Sequence, residues 1–347
     1  MLLKKALQST ACAVLGASLP ALVVYGQQTD ASAPPAPTEK KQRPARPPKP
    51  GVSTPGVKRE MTTVTPMAVF TTGGTPDWQV LTADAVWVSN GPTNSVHRLD
   101  PKTNQIAATV EVGKKPCSGL TEGFGSVWVP NCGDKTLSRV DEKTNTVTAT
   151  LPIGPAESEG GIAASPEAVW LVTVPDGKLS RIDPKTNTVV AQVEVPAGSA
   201  SVVYGDGAVW VTTPKMNMLT RVDTKTNKVT DSIETGPGPR FATVGAGSVW
   251  TLNQGDGTVS RIDMKTRKVV ASIEVGIPGT GGELAFGLGH IWATVFQIPI
   301  SEIDPATNTV VRQWTGNGGD SIRAGHDSVW VSNLRDHNVW RIDPSKF

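Results

Sequence analysis

The chain has 347 residues and a formal net charge of +2, and it combines 35 Gly, 28 Pro and 10 Trp with only two Tyr and six Phe. This turn-rich composition lacks long apolar stretches after residue 25, like-charge blocks and a collagen-type period, which excludes polytopic membrane, coiled-coil and fibrous proteins. Residues 1–59 carry nine Lys and Arg against two acids, which leaves 24 basic and 29 acidic side chains in residues 60–347, a net charge of −5. A mildly acidic folded part argues against nucleic-acid binding.

The first 26 residues have the pattern of a secretory signal peptide. Lys4 and Lys5 form a charged start, and a mostly apolar run follows from Ala6 to Tyr25. This pattern predicts cleavage after Gly26 and a periplasmic or secreted protein with no transmembrane span in its mature chain. An uncleaved membrane anchor is the alternative, which the shortness of the apolar run disfavours.

Residues 27–61 have the composition of a Pro-rich linker. Eight Pro lie within residues 31–59, among Ala, Lys, Arg, Thr and Gly. Such a segment buries too little apolar surface to form a core, and it favours extended polyproline-II geometry. We therefore predict a disordered linker over 27–61 and a folded part over 62–347.

The folded part consists of seven repeats. A Trp recurs at intervals of 38 to 42 residues, and an Arg-apolar-Asp step recurs with the same period and continues into an Asp-Pro-Lys-Thr-Asn turn or a close relative of it. The recurring Trp residues are Trp87, Trp128, Trp170, Trp210, Trp250, Trp292 and Trp330. Apolar and polar residues alternate between these markers with period two, which predicts four short strands in each repeat.

These repeats match a seven-bladed β-propeller, an all-β fold. Seven units of about 40 residues require roughly 280 residues, which residues 62–347 supply. The last repeat stops at Phe347 without its fourth strand, and residues 62–74 resemble that missing strand. We therefore predict that an N-terminal strand completes the last blade and closes the ring.

Cys117 and Cys132 are the cysteines that remain after signal-peptide removal. They flank a predicted β-hairpin, residues 118–131, whose turn lies midway between them, so that they face each other across antiparallel strands. In an exported protein this arrangement predicts a disulfide in preference to free thiols. Two cysteines with no His nearby in sequence are too few ligands for a zinc site.

The repeat motif resembles that of a known family. The pattern Gly/Ser/Ala-Val-Trp-Val-x-Asn, then Arg-Ile/Val-Asp-Pro-Lys-Thr-Asn-x-Val-Val, then Ile/Val-x-Val-Gly, is similar to the YVTN-repeat β-propellers of bacterial envelopes and to their streptogramin (virginiamycin B) lyase-like relatives. Here a Trp replaces the Tyr of the namesake motif. The resemblance covers residues 62–347 and implies a propeller, a fold that hosts many unrelated activities.

The candidate functional residues are those that differ between blades, because residues repeated in every blade are explained by the blade itself. The loops before the first strand of each blade open on the channel face, the usual ligand face of a propeller. They carry five carboxylates, two Arg and two aromatic residues as candidate ligand-binding side chains: Asp77, Trp78, Glu157, Glu159, Arg240, Phe241, Glu283, Asp320 and Arg323.

The ring of carboxylates admits three interpretations. It could hold Mg²⁺ or Ca²⁺ through the oxygens of Glu159, Glu283 and Asp320, and it could equally bind a basic or polar ligand. The third interpretation is a solvated, partly self-paired rim without a ligand. The sequence alone does not choose among them.

The histidines weigh against an enzyme. Lyase-like propellers use channel-face His and Glu with a magnesium ion, and Glu283 fits the Glu position. His290 and His326, however, are expected near the opposite face, His97 lies in a third strand, and only His337 is expected on the channel face. A general base with a pKa near neutral is therefore not evident.

We therefore predict a monomeric, exported propeller that binds a small-molecule ligand or an envelope protein at its channel face without catalysis. The alternative is a metal-dependent lyase or lactone hydrolase of the streptogramin lyase-like type.

Overall fold

The computed structural model describes residues 51–279 and 281–347; the predicted signal peptide and the first part of the predicted linker lie outside this range. Seven sheets form a ring in which each sheet contacts the next and the seventh contacts the first. Within a blade the four strands follow one another in antiparallel order from the channel outward, and blade six carries a fifth strand. The predicted seven-bladed β-propeller is confirmed.

The strands of the first four blades, with two strands that precede them in the chain, are β1 (Lys58–Glu60), β2 (Ala68–Thr71), β3 (Pro76–Leu81), β4 (Val86–Asn90), β5 (Ser95–Asp100), β6 (Gln105–Glu111), β7 (Thr121–Gly123), β8 (Ser126–Asn131), β9 (Thr136–Asp141), β10 (Thr146–Leu151), β11 (Ile162–Ala164), β12 (Val169–Val174), β13 (Lys178–Asp183), β14 (Thr188–Glu194), β15 (Val202–Gly205), β16 (Ala208–Thr213), β17 (Met218–Asp223) and β18 (Lys228–Glu234). Blades five to seven contain β19 (Pro239–Gly245), β20 (Ser248–Asn253), β21 (Thr258–Asp263), β22 (Lys268–Glu274), β23 (Glu283–Gly287), β24 (His290–Val295), β25 (Ile298–Asp304), β26 (Thr309–Thr315), β27 (Asp320–Gly325), β28 (Ser328–Asn333) and β29 (Asn338–Ile342). Single-turn 3₁₀ helices lie at Met61–Thr63, Pro214–Met216, Leu334–Asp336 and Pro344–Lys346.

The ring closes through an N-terminal strand, as the sequence predicts. Strand β2 pairs antiparallel with β29, with Ala68 opposite Arg341 and Thr71 opposite Asn338. Blade seven thus takes its outermost strand from the N-terminal side of the domain and its other three from the C-terminal end. Strands from both ends of the folded part therefore share one sheet, which leaves no gap in the ring.

Residues 51–61 pack on the propeller, although the sequence assigns them to the linker. Strand β1 runs parallel to β26 and adds a fifth strand to blade six, with Arg59 opposite Trp314. The backbone N–H of Val52 donates to Gln313 Oε1 at 2.7 Å, and both Val52 and Met61 are buried. The outer strand of blade six offers unpaired backbone groups, which a short segment of any composition can bond.

The seven recurring Trp residues are structural. Each lies in the second strand of its blade and is at most 1% exposed. In five blades the indole N–H donates to the carbonyl of a Gly five residues earlier, as Trp250 does to Gly245 at 3.0 Å, and Trp170 instead donates to Ser165 Oγ. In these six blades the Trp therefore fixes the turn between the first two strands.

The repeated Arg links successive blades. The Arg261 guanidinium lies 4.8 Å from the centroid of the Trp250 ring, and it donates to Asn308 Oδ1 in the turn of the next blade at 2.8 Å. Arg341 makes the same link from blade seven to Asn104 in blade one, also at 2.8 Å. One side chain therefore combines a cation–π contact within its blade with a hydrogen bond to the neighbouring blade.

Blade six inverts this charge pattern. Glu302 occupies the position of the repeated Arg, is 1% exposed, and accepts from Arg312 Nε on the neighbouring strand at 2.5 Å. His290 Nδ1 lies 2.9 Å from its other carboxylate oxygen. The buried carboxylate is therefore paired, as a charge in this position must be.

Cys117 and Cys132 form the predicted disulfide, with their Cα atoms 5.9 Å apart. Among residues 51–279 and 281–347, no helix has the length and apolar character needed to cross a bilayer.

Candidate functional site

Four carboxylates from blades one, three, six and seven converge at one mouth of the channel, and we call this group the acid cup: Asp77, Glu159, Glu283 and Asp320. Asp77 lies at the start of β3, Glu283 opens β23 and Asp320 opens β27. Glu159 lies in the loop before β11. Because the first strand of each blade lines the channel, the residues that open these strands meet at its rim.

Glu283 is the most constrained member of the cup. It is 4% exposed, and its Oε1 lies 2.5 Å from the Arg323 guanidinium of blade seven. Its Oε2 accepts from Ser321 Oγ at 2.5 Å and from the backbone N–H of Ile322 at 3.3 Å. Both oxygens of Glu283 are thus bonded, and its charge is neutralised by an Arg one blade away.

Asp77 and Asp320 form a hydrogen-bonded carboxyl pair across the junction of blades one and seven. Burial and the charges of the other cup carboxylates raise the pKa of Asp77 well above its usual range. Burial, followed by repulsion from Glu159, raises the pKa of Asp320 to about 7. Asp77 is half-buried and Asp320 is buried, and two carboxyls in contact in such a place cannot both ionise easily, so one proton shared between them is favoured near neutral pH.

The loop that carries Glu157 and Glu159 reaches over the mouth. Arg240 of blade five donates to the Ser158 carbonyl at 3.1 Å and lies 3.5 Å from the Glu157 carboxylate. Burial raises the pKa of Glu159, and the nearby Arg240 opposes that rise. Glu159 has a φ of +64°, which is unusual for a residue other than Gly or Asn. The loop therefore holds a strained residue next to the other carboxylates.

Aromatic and aliphatic side chains lie in the channel beneath the cup. The rings of Trp78 and Phe241, from blades one and five, lie 5.8 Å apart between centroids. Leu120 and Leu284 belong to the same buried cluster. The channel below holds a cavity of about 180 Å³ whose lining includes Trp78, Glu283 and Arg323. The cup thus has an apolar floor and adjoins the channel cavity.

A second cavity, of about 430 Å³, extends sideways from the cup toward blade two. Asp77 and Glu159 line its inner end, and Lys115, Pro116 and Cys117 line its outer end. A ligand at the mouth therefore has space beyond the cup itself.

The cup does not fit the predicted metal role of Glu159, Glu283 and Asp320. Glu283 uses both oxygens on Arg323, Ser321 and the backbone, and Asp320 bonds to Asp77. Within the part of the chain that the structure describes, no three His, Cys, Asp or Glu side chains are arranged to hold an ion. A cation at this mouth would have to displace Arg323 or the proton that the aspartates share.

The histidines lie elsewhere. His97 is buried between Asn90 and Thr109, and burial lowers its pKa. His290 pairs with Glu302, His326 Nε2 lies 3.0 Å from the Thr82 carbonyl oxygen, and His337 Nδ1 lies 2.9 Å from that of Gly74. Each imidazole therefore has a structural partner outside the cup.

The structure brings all nine predicted site residues to the mouth. The acid cup holds four of them, and Trp78 and Phe241 form its floor. Arg240 pairs with Glu157, and Arg323 neutralises Glu283. Sequence analysis missed Ser321, Leu120 and Leu284, because a Ser or Leu in a strand gives no sign of facing a channel. The sequence identified the disulfide partner of Cys117, but it gave no sign that Cys117 borders the site.

Comparisons with known proteins concern the fold. No protein-family model matches the sequence, and no curated protein matches it either. A streptogramin B lyase structure superimposes with a TM-score of 0.66 at 18% identity, over 77% of this chain and 93% of that chain. Virginiamycin B lyase from Staphylococcus aureus gives 0.67 at 15% identity, over 81% of this chain and 98% of that chain. Kuenenia stuttgartiensis hydrazine synthase gives 0.65 at 15% identity, over 85% of this chain and 99% of that chain. At these identities the similarity shows the fold alone.

Proposed function

We propose that this chain is an exported propeller of the YVTN-repeat type that binds a ligand with a cationic group in the acid cup. The observation that carries the proposal is the contact between Asp77 and Asp320 beside two further carboxylates at the mouth. An amine or guanidinium group could replace the shared proton and bond to both aspartates. The apolar floor and the adjoining cavity would accommodate the rest of such a ligand.

The charges around the cup support a cationic ligand. Counting Glu157, five carboxylates meet two guanidinium groups at the mouth, those of Arg240 and Arg323. Each Arg is already paired with a Glu, which leaves Asp77, Asp320 and Glu159 to face a ligand. Buried carboxylates that lack a counter-ion favour a ligand that supplies one.

Calorimetric titration of the mature protein with agmatine, which carries both an amine and a guanidinium group, tests the proposal. We expect binding above pH 7 that is lost in the Asp77→Asn/Asp320→Asn double variant. Glu111→Gln removes one charge on the exposed outer strand of blade one and should bind as the wild type does. Equal affinity in all three proteins, or no binding by the wild type, would refute a cationic site in the cup.

Export is part of the same proposal. The signal-peptide pattern supports a periplasmic or secreted protein that starts at residue 27, and we propose that this protein is a monomer. The intact mass of the protein recovered from the periplasm or medium would show cleavage after Gly26, and a mass that retains residues 1–26 would contradict it.

The second candidate function is a lyase or hydrolase of cyclic depsipeptides and lactones. The observation that favours it is the pKa of Asp320, about 7, which suits a general acid or base at neutral pH. Elimination would open the ring without changing the mass of the substrate, whereas hydrolysis would add the mass of one water. Incubation of a streptogramin B-type depsipeptide with the protein, with and without Mg²⁺, followed by mass spectrometry, distinguishes these outcomes from binding without turnover.

A further inference from the structure

The sector of the mouth nearest the disulfide lacks the regular strand pairing that supports the other sectors. The innermost strands of blades two and three contribute only three residues each, Thr121–Gly123 and Ile162–Ala164. The corresponding strands of blades five and seven contain seven and six residues and reach the rim. The loop that carries Glu157 and Glu159 therefore begins and ends beyond the sheet ladders.

Besides its contacts with Arg240, this loop is held by three consecutive residues that begin with the disulfide residue Cys117. The Glu159 backbone N–H donates to the Cys117 carbonyl at 3.0 Å, and the Gly119 N–H donates to the Gly160 carbonyl at 2.8 Å. Ser118 Oγ donates to the Glu157 carbonyl at 3.2 Å. Residues 117–119 thus take the place of a strand neighbour for the acidic loop.

Residues 117–119 are in turn fixed to the body of blade two. Cys117 is 5% exposed, and its disulfide joins it to Cys132, just after the second strand of the blade. The Cys132 N–H also donates to the Lys115 carbonyl at 2.9 Å. The disulfide is the covalent part of this attachment. It connects the end of β8 to Cys117, whose carbonyl accepts the hydrogen bond from the Glu159 N–H.

We propose that the Cys117–Cys132 disulfide is a positioning element of the ligand site, which holds the Glu159 carboxylate at the acid cup. The proposal rests on the proposed function of the cup. Without the disulfide, residues 117–119 lose their covalent attachment to blade two, and the Cys117 carbonyl that accepts from the Glu159 N–H is no longer fixed in place. The φ of +64° at Glu159 then relaxes, and the carboxylate moves away from the ligand.

A double-mutant cycle between the disulfide and Glu159 tests this coupling with agmatine as the probe. We expect Glu159→Gln to weaken binding by about tenfold in the oxidised protein. The Cys117→Ser/Cys132→Ser variant should lose a similar factor, and adding Glu159→Gln to it should have no further effect. If the serine variant were only less stable, Glu159→Gln would still weaken agmatine binding about tenfold in it. Wild-type affinity in the serine variant, with the full tenfold effect of Glu159→Gln, would overturn the proposal.

Ile262→Val is the matched control for destabilisation. Ile262 is fully buried in blade five, and the substitution removes one methylene group from a site outside the mouth. It should lower stability while retaining both the wild-type affinity and the tenfold effect of Glu159→Gln. A control that also lost the Glu159 effect would show that the coupling reflects general loosening of the ring, which would overturn a specific role of the disulfide.

Hydrogen exchange provides a test that needs no ligand. The amide protons of Glu159 and Gly119 should exchange at least about tenfold faster in the serine variant, whereas those of blade five should not change. The same comparison can be made on the folded wild type after treatment with dithiothreitol. This reagent transfers two electrons and two protons to the disulfide, so that Cys117 and Cys132 become thiols and dithiothreitol becomes its cyclic disulfide. Unchanged exchange at both amides would overturn this proposal, whether or not agmatine binds. Failure of agmatine to bind would by itself refute only the proposed function.

Discussion

Aspartates in two regions of this propeller have opposite electrostatic environments. In the turns that recur after the third strand of each blade, the carboxylate accepts hydrogen bonds from the backbone N–H groups that follow it, and the pKa of Asp100, Asp141 and Asp223 is lowered by these bonds. In the acid cup, burial and neighbouring carboxylates raise the pKa of Asp77 and Asp320. The same side chain is thus favoured as an anion in one region and disfavoured in the other.

This difference separates the framework from the candidate site. The turn aspartates stabilise the folded state when they are ionised, because their partners exist only in the folded turn. The cup aspartates destabilise the folded state when both are ionised, because the charges repel each other in a buried place. This unfavourable cluster lies at the channel mouth, which is where a ligand would relieve it.

The largest effect should come from the framework. Trp210 is fully buried in blade four, which contributes no side chain to the cup, and its indole N–H donates to the Gly205 carbonyl. We expect Trp210→Ala to lower the free energy of unfolding by about 3–5 kcal/mol while leaving agmatine affinity unchanged. Thermal unfolding and calorimetric titration of the same preparation measure both. If the variant stayed folded but did not bind agmatine, the framework and the site would not be separable as we expect.

The pH dependence of stability should be carried by the cup. The folded-state pKa of Asp320, about 7, lies above the unfolded value of 3.8, so the folded protein binds more protons between these values. Stability should therefore fall as the pH rises from about 4 to 7. The Asp77→Asn/Asp320→Asn variant should lack this slope and be more stable than the wild type at pH 8 by on the order of 2–4 kcal/mol.

Unfolding midpoints at pH 5, 6, 7 and 8 measure this slope, with Glu111→Gln as the control for the loss of a negative charge. If the double variant showed the same slope as the wild type, the shared proton of Asp77 and Asp320 would not exist.

The smallest effect should come from a single repeated turn. Asp223 accepts from the backbone N–H groups of Lys225 and Thr226, and these bonds lower its pKa. We expect Asp223→Ala to lower the melting temperature by only about 2–4 °C at pH 7. The loss should shrink as the pH falls through the lowered pKa, because the stabilising anion is then protonated in the wild type as well. A loss that grew toward low pH would contradict this assignment.

The fold could be predicted because its determinants are local and repeated. Each Trp, each Arg-apolar-Asp step and each Asp-Pro-Lys-Thr-Asn turn acts within one blade or on the next, so the period in the sequence is the period in space. Strand β2 could be predicted for the same reason, since the last repeat visibly lacked its fourth strand. Residues 51–61 could not, because a Pro-rich composition indicates only that a segment has no core of its own, and β26 supplied the partner.

The sequence by itself determined seven blades, their closure and the disulfide, and it pointed to nine side chains as candidates for the channel mouth. The tertiary structure alone decided which of them touch. Asp77 and Asp320 are 243 positions apart in the chain and meet only because the ring closes between blades seven and one. Glu283 is bound by Arg323 and Asp320 pairs with Asp77, so two of the three carboxylates that suggested a metal site in sequence have other partners. Local patterns specify strands and turns, whereas burial and the distance between charges depend on the whole ring, and these set the chemistry of the mouth.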